Sequence, residues 1–444
     1  MFNQQSNRRR WPSNRRSLRV PIAVGAAVLA GFGLAACSSQ ASSGSAGGNS
    51  SSGTITLTEE DYYTSGTADT FWNAAFAEYH KLHPNVIIKR SAVPAQGYVP
   101  HLLNQAGAGS LPNLVMIDNP YVAEFAKAGA LLPLQQIGSV NTASVSPSLL
   151  HDGLYQGTLY AIPPYTNTIA IFYNKKIFAA AHLSPPTTWA QMIADAKALT
   201  TPKVYGFVVS LPAANGTAFW SFAPFLWSNA GANATKDIDS PQAAAALNVF
   251  AQMASDGSMP KSVVSWTNSQ DVEYFQNGKA AMDLQGSWNI PSFNATKGLS
   301  YGVAQIPTRV AGQKLLVPTG GETFAISHSG TTAQQKAALA FLQWVMGPQE
   351  DATAAVQVGG LVPTVNTAVS QALPQEDPAL MQPFVTELQN GGTERTQYVG
   401  TAYFNIADTI GNAIDAAILG QSTPQQALNS IAGTVQSELA QSGS

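Results

Sequence analysis

The chain contains 444 residues with a formal net charge of −3, and 45% of its residues are apolar while only 11% are charged. Six arginines lie in the first 36 residues, and without them the formal charge falls to −9, which excludes electrostatic binding to nucleic acid. The rest of the chain, about 390 residues, exceeds one typical domain and predicts two, with enough apolar residues for a large core.

The first 36 residues have the layout of a secretory signal peptide, in which a basic segment precedes an apolar run from Val20 to Ala36. The sequence LAAC at 34–37 resembles the lipobox of bacterial lipoproteins. This resemblance implies cleavage before Cys37 and attachment of palmitate or a similar lipid to its thiol. Residues 37–53 are rich in Ser and Gly and are typical of a flexible tether. The alternatives are an ordinary signal peptide with an incidental cysteine and an uncleaved anchor.

Strand and helix patterns alternate through the first part of the remaining chain. Apolar runs and alternating apolar residues predict strands at 54–61, 85–93 and 111–118. Apolar residues at helical spacing predict helices between and after them, at 67–84, 98–109 and 119–134. This alternation predicts an α/β fold with parallel strands and helices on both faces of the sheet.

The later part of the chain changes from mixed to mostly helical patterns. Extended segments flank Pro163-Pro164, and further strand patterns occur at 204–211, 278–288, 299–307 and 323–327. From Thr332 onward the apolar spacing predicts mainly helices. Beyond the leader, no apolar run is long enough to span a membrane.

A series of short segments follows in order along almost the whole of residues 54–440. They are "FAEYHKLHPNVIIK", "LLNQAGAGSLPNLVMID", "FAKAGALLPL", "YAIPPYTNTIAIFYNKKIF", "PPTTWAQMIADAKAL", "FQNGKAAMDLQGSW", "YGVAQIP", "AALAFLQWVMGPQ" and "GLVPT". In this order they resemble family 1 extracellular solute-binding proteins, the maltose-binding-like receptors of sugar ABC importers. One departure is Asn113, where the family usually has an acid in a turn.

The resemblance implies a two-lobed periplasmic-binding-protein fold of type II, with the ligand cleft between two α/β lobes and a helical C-terminal part. Lobe 1 would comprise 54–162 plus 302–347, and lobe 2 would comprise 163–301 plus 348–444. The hinges would then lie near Ile162–Pro164, Tyr301 and Gly347. Closure about these hinges would bury the ligand.

A sugar site requires aromatic rings that stack on C–H faces and planar polar side chains that pair with hydroxyl groups. Residues of these kinds follow predicted strands or match sugar-binding positions of the resembled receptors. They form the candidate ligand site: Asp61, Tyr62, Tyr63, Asp118, Asn119, Tyr121, Tyr165, Asn167, Trp220, Trp288, Gly321, Glu322, Arg395, Tyr403 and Phe404. Trp288, which follows a strand and a glycine, is our first choice for a stacking residue.

Several of these candidates also have a purely structural interpretation. Asp118 and the acids around residue 60 could cap the helices that follow them. Tyr165 could pack at a hinge, and the glycines before Glu322 could form a tight turn. The aromatic residues around Trp220 could belong to the core.

Two motifs suggestive of catalysis or metal binding are rejected. The sequence GLSYG at 298–302 matches G-x-S-x-G, but a nucleophile elbow requires a helix after the serine, and a strand pattern follows here. His80 and His83 are spaced for one face of a helix, but no third zinc ligand is indicated. The sequence therefore predicts no enzyme, no metal site and no cofactor.

We therefore expect a monomeric, lipid-anchored receptor outside the cytoplasm that captures a sugar or oligosaccharide and delivers it to the membrane-embedded permease of an ABC transporter. Two alternatives stay open. The same fold could bind a peptide, polyol or phosphodiester. A secreted glycoside hydrolase would need two carboxyl groups, such as Asp61 and Asp118, at a separation of ~5 to ~9 Å.

Overall fold

The computed structural model describes residues 53–95, 97–231, 234–267, 269–393, 395 and 399–442. The predicted signal peptide, the predicted lipid attachment at Cys37 and almost all of the predicted tether lie outside these ranges. Within them, no helix combines the length and the apolar character needed to cross a bilayer.

The strands are named here in chain order. They are β1 (Ile55–Asp61), β2 (Val86–Ala92), β3 (Leu114–Asp118), β4 (Leu154–Tyr155), β5 (Thr158–Leu159), β6 (Ala161–Ile162), β7 (Ile169–Asn174), β8 (Tyr205–Val208), β9 (Ala280–Gly286), β10 (Tyr301–Ala304), β11 (Val317–Pro318), β12 (Glu322–Ile326) and β13 (Gly392–Thr393).

The α-helices are named in the same way. They are α1 (Gly66–Leu82), α2 (Tyr98–Gly107), α3 (Tyr121–Lys127), α4 (Leu134–Ile137), α5 (Pro147–Leu150), α6 (Lys175–Ala180), α7 (Trp189–Leu199), α8 (Thr217–Ala230), α9 (Pro241–Ser255), α10 (Gln270–Gln276), α11 (Ile290–Ala295), α12 (Thr332–Val345), α13 (Pro348–Val358), α14 (Asn366–Ala372), α15 (Pro378–Gly391), α16 (Tyr403–Leu419) and α17 (Pro424–Ser442).

The first sheet has the strand order β2-β1-β3-β12-β6. β1 pairs in parallel with β2 and β3, whereas β12 runs antiparallel between β3 and β6. Residues 114–117 of β3 are all buried, as expected for the continuous apolar run of a central strand that is covered on both faces.

Successive side chains of this sheet point to opposite faces and enter two different cores. Met116 and Phe324 belong to a core shared with α1 and α12–α14. Val115 and Ala325, one residue away on the same strands, belong to a smaller core shared with α2 and α3. Helices therefore cover both faces of the first sheet, as the alternating sequence pattern predicts.

The second sheet has the strand order β10-β7-β9-β8, in which only β8 and β9 run parallel. Its core takes apolar side chains from α6–α11 and from α15–α17. The long helical C-terminal part therefore completes this second core, with Ile406 and Leu428 fully buried in it.

The packing differs from the lobe ranges expected above at two places. α13 and α14 fall in the range expected for lobe 2, yet Ala355 and Ala368 are buried in the core of the first sheet. β10 extends past the expected boundary at residue 301, yet the whole strand pairs with β7 of the second sheet. Because a helix belongs to the core that buries its apolar face, we propose lobe boundaries after residue 304 and near residue 372.

Candidate functional site

Chain segments that pass between the two sheets lie side by side. Thr166 and Val362 exchange two backbone hydrogen bonds of 2.8 Å, and Asn167 and Gly320 exchange two of 2.9 and 3.1 Å. Gly320 has no room for a side chain, because an added Cβ would lie 2.3 Å from Asn167 Oδ1 and 2.6 Å from the Trp220 ring. Asn167, Gly320 and Trp220 are therefore close-packed where the chain crosses from one sheet to the other.

The end of β3 and the start of β12 place two acids side by side. Glu322 is the register partner of Asp118, because the two strands run antiparallel. Glu322 is buried and accepts a hydrogen bond from Tyr62 Oη. Burial raises the pKa of the Glu322 carboxyl, and the hydrogen bond from Tyr62 partly opposes that rise. Burial, followed by the charge of Glu322, also raises the pKa of the Tyr62 hydroxyl.

Arg395 reaches this sheet edge from the segment that follows β13. Its guanidinium donates to Asp118 Oδ1 and to Asn119 Oδ1, with an Nε–Oδ1 distance of 3.1 Å to Asn119. Its Cζ lies 4.7 Å from the centroid of the Trp220 ring and 5.8 Å from that of Tyr403. A carboxylate, an amide and two π faces thus surround a buried cation. Arg395 links the edge of the first sheet to aromatic residues of α8 and α16.

A second contact joins the same two parts of the molecule next to this ion pair. The rings of Tyr121 and Phe404 stack with centroids 4.2 Å apart and an interplanar angle of 21°. Lys127 Nζ donates to Thr401 Oγ1 at 3.2 Å. We call these four residues, which connect α3 to the start of α16, the α3–α16 clasp.

The structure brings most of the predicted ligand residues into this one region: Tyr62, Asp118, Asn119, Tyr121, Asn167, Trp220, Gly321, Glu322, Arg395, Tyr403 and Phe404. Tyr403 is only 2% exposed, so it supports Arg395 from the core side. The half-buried rings of Tyr121, Trp220 and Phe404 are more accessible. The arrangement offers hydrogen-bonding groups beside aromatic faces.

Four predicted ligand residues have other surroundings. Asp61 is fully buried, and Arg90 Nε and Nη2 bind its two oxygens at 2.5 and 2.8 Å, so its carboxylate is not open to a ligand. Tyr63 Oη lies 3.1 Å from Oη of the buried Tyr165, and the pair supports the site from behind. Trp288 is 40% exposed and takes no part in the ring contacts found among the described residues. Its ring covers Gly286, where an added Cβ would lie 2.1 Å from it.

Two residues near the site were not predicted from the sequence. Arg90 binds Asp61, and Tyr98 packs edge-on against Tyr62 with ring centroids 5.5 Å apart. The available signal for Arg90 was an arginine on a strand predicted beside the acid-rich β1. Within the described ranges, no three His, Cys, Asp or Glu side chains are grouped closely enough to hold a metal ion.

The edge of the first sheet faces aromatic residues of α8 and α16, and chain segments pass between the two sheets beside them. These features are those of a two-lobed α/β binding protein. The chain belongs to the bacterial extracellular solute-binding protein family, whose profile matches residues 74–382. This membership confirms the predicted family and indicates a location outside the cytoplasm.

Relatives and solved structures of similar length match most of this chain. The galactooligosaccharide-binding protein of Bacillus subtilis (strain 168) is 22% identical, over 91% of this chain and 94% of its own. The cyclic alpha-maltosyl-1,6-maltose binding protein from Arthrobacter globiformis has a TM-score of 0.75 at 23% identity, over 87% of this chain and 99% of its own. UgpB from Mycobacterium tuberculosis, in complex with glycerophosphocholine, has a TM-score of 0.73 at 20% identity, over 88% and 99%. These likenesses confirm the predicted type of fold.

Proposed function

We propose that this protein is the monomeric substrate-binding component of an ABC importer and that it captures a sugar or oligosaccharide. The observation that carries the proposal is the close association of Asp118 and Asn167 with the half-buried rings of Trp220 and Tyr121. Planar polar groups pair with sugar hydroxyls, and aromatic faces stack on the apolar C–H faces of the ring.

The names of two relatives support this ligand class. One is the galactooligosaccharide-binding protein described above, and the other is maltodextrin-binding protein MdxE of B. subtilis (strain 168), which is 23% identical over 70% of this chain and 73% of its own. In the proposed cycle the ligand binds the closed form more tightly than the open form, and this difference in affinity drives closure. The closed receptor then delivers the ligand to permease subunits in the membrane.

The burial of Asp61 supports binding without catalysis. A hydrolase that used Asp61 and Asp118 would need both carboxyl groups at the scissile bond. Arg90 occupies both oxygens of Asp61, and that side chain is fully buried. We therefore propose that the protein performs no hydrolysis at this site.

A phosphodiester is the second candidate ligand, because Arg395 supplies a cation to the site and UgpB was solved with glycerophosphocholine. The Arg395 guanidinium is already bound by Asp118 and Asn119. This pairing favours an uncharged ligand over an anion, which would have to compete with Asp118.

A thermal-shift screen with residues 52–444, which form one compact unit, tests the proposal. The ligands are mono-, di- and oligosaccharides, with glycerophosphocholine and peptides as the other arms. A sugar at a hundred times its dissociation constant should stabilise the protein by ~2.7 kcal/mol. If only glycerophosphocholine or peptides raise the melting temperature, the proposal of a sugar ligand is rejected, whereas the proposal of a solute-binding receptor stands.

Two tryptophan variants sharpen this screen. Trp220→Ala should remove most of the sugar-dependent shift, because it removes the aromatic face beside Arg395 and Asn167. Trp288→Ala is the matched control, since Trp288 is exposed and takes no part in the ring contacts of the described residues. The reverse result would move the ligand site to the neighbourhood of Trp288.

We also propose that lipid on Cys37 anchors the protein to the outer face of the cytoplasmic membrane. The observation behind this proposal is the LAAC sequence between an apolar run and a Ser/Gly-rich segment. In the native host, Cys37→Ser should move the protein from the membrane fraction to the soluble fraction. An unchanged distribution would reject the lipid anchor.

A further inference from the structure

Arg90 lies on β2 with only 8% of its side chain exposed, and it makes contacts with two acids. Its Nε and Nη2 bind Asp61 Oδ2 and Oδ1 at 2.5 and 2.8 Å, which is a two-pronged pairing of guanidinium with carboxylate. Its Nη1 lies 2.5 Å from Oδ1 of Asp69, in the first turn of α1. The side chain therefore joins β2, the end of β1 and the start of α1.

The same ion pair also holds the backbone of the loop between β1 and α1. Arg90 Nη2 donates to the carbonyl oxygen of Tyr63 at 2.6 Å. The backbone N–H of Tyr63 donates to Asp61 Oδ1 at 2.7 Å. Both polar backbone groups of Tyr63 are thus fixed by the two members of one buried ion pair.

This loop carries two tyrosines whose hydroxyls reach other elements of the site. Tyr62 Oη donates to Glu322 at the start of β12. Tyr63 Oη lies 3.1 Å from Oη of Tyr165, in the crossing segment. A displacement of the loop backbone would therefore move Tyr62 away from Glu322 and separate Tyr63 from Tyr165.

We propose that Arg90 is a positioning residue for ligand binding: it fixes the β1–α1 loop so that Tyr62 and Glu322 form a preorganised wall of the site. Arg90 does not contact the ligand and acts through the backbone of Tyr63. Arg90 raises the affinity for the ligand because the β1–α1 loop is ordered before binding. If the ligand had to order this loop, the entropy lost would lower the affinity. This inference rests on the function proposed above for the same site.

The geometry separates positioning from simple charge neutralisation. Lysine would keep a positive charge beside Asp61, but its ammonium is a single point and cannot hold the two Asp61 oxygens and the Tyr63 carbonyl in one plane. Arg90→Lys is therefore the informative variant, since it retains the positive charge beside Asp61 but loses the two-pronged pairing and the bond to the Tyr63 carbonyl.

Asp69→Asn is the matched control. The amide introduced by this substitution would keep an oxygen that can accept from Arg90 Nη1, and the Asp69 side chain is 31% exposed. The contacts of Arg90 with Asp61 and Tyr63 remain intact in this variant. We therefore expect it to change neither loop order nor affinity by more than about twofold.

The first measurement is hydrogen exchange of ligand-free protein, read on peptides that cover residues 61–66. Arg90→Lys should increase the exchange rate in this loop at least tenfold, while exchange of β3 in the first sheet stays unchanged. Unaltered exchange in the loop would overturn the inference. Faster exchange throughout the first sheet would also overturn it, because Arg90 would then be a general support of the fold.

The second measurement is the dissociation constant for maltotriose and for a galactotriose, by calorimetry. Arg90→Lys should weaken the binding of whichever sugar the wild type binds by at least tenfold, and Asp69→Asn by less than twofold. Equal weakening in both variants would overturn the inference. If the wild type binds neither sugar and no other carbohydrate, the proposed function fails, whereas the exchange result still decides the role of Arg90 in the loop.

Discussion

Asp283 on β9 is a fully buried acid in the second core, and neither of its carboxylate oxygens has a hydrogen-bond partner among the described residues. Burial raises the pKa of this carboxyl well above its ordinary value of 3.8, and the nearby Asp271 raises it further. A raised pKa means that the folded protein binds a proton that the unfolded chain has already lost. The contribution of Asp283 to the free energy of unfolding is therefore most favourable below about pH 4. This contribution is lost as the pH rises through the folded-state pKa.

We expect Asp283→Asn to stabilise the protein at pH 7.5 by about 1 kcal/mol or more, because the wild type must take up a proton or bury an unpaired charge in order to fold at this pH. The amide imitates the protonated acid and does not ionise. The advantage over the wild type should be much smaller at pH 4, where the acid is protonated in the folded state and partly protonated in the unfolded chain. Chemical denaturation at the two pH values measures the difference.

Asp237→Asn provides the control, because Asp237 is an exposed aspartate of the same part of the chain. It should leave the free energy of unfolding within about 0.5 kcal/mol of the wild type at both pH values. An Asp283→Asn effect of the same size at pH 4 and pH 7.5 would contradict a proton-linked origin.

At the scale of elements, strong periodicity was enough to predict the first part of the fold. The predicted strands at 54–61, 85–93 and 111–118 correspond to β1, β2 and β3, and their parallel pairing agrees with the helices between them. The spacing of apolar residues and the length of each segment determine these strands and helices locally, so they can be predicted from the sequence alone. The order of the short segments along the chain then pointed to the family.

Contacts between distant elements could not be predicted in the same way. α13 has the spacing of an amphipathic helix, but no local pattern tells which of two cores receives Ala355. Asp61 ends a strand as a ligand residue would, and only the pairing of β1 with β2 brings Arg90 to it. Trp288 illustrates the same limit, because its chain position after β9 does not reveal that its ring covers Gly286.

At the scale of the whole molecule, the α3–α16 clasp and Arg395 connect the core of the first sheet to that of the second. Tyr121 lies on α3, which packs on the first sheet, whereas Phe404 lies on α16, which packs in the second core. These contacts stabilise the arrangement in which the two cores lie against each other, so any opening motion about the crossing segments must break them.

We expect Phe404→Ala to shift the ligand-free protein toward an open form. An aromatic pair contributes about 0.5–1.5 kcal/mol beyond its buried area, so the closed-to-open ratio should fall by a factor of about two to ten. Small-angle X-ray scattering should then show a larger radius of gyration for the ligand-free variant than for the wild type. Saturation with a ligand that binds across the site should restore the wild-type value.

Val310→Ala is a suitable comparison, because Val310 is 59% exposed and is neither part of the α3–α16 clasp nor one of the residues that contact Arg395. Its scattering curve should match that of the wild type with and without ligand. Identical curves for Phe404→Ala and the wild type would show that the stacked pair does not set the equilibrium. In that case Arg395→Gln would test the neighbouring bonds of Arg395 to Asp118 and Asn119, and a larger radius of gyration in that variant would show that these bonds hold the two cores together.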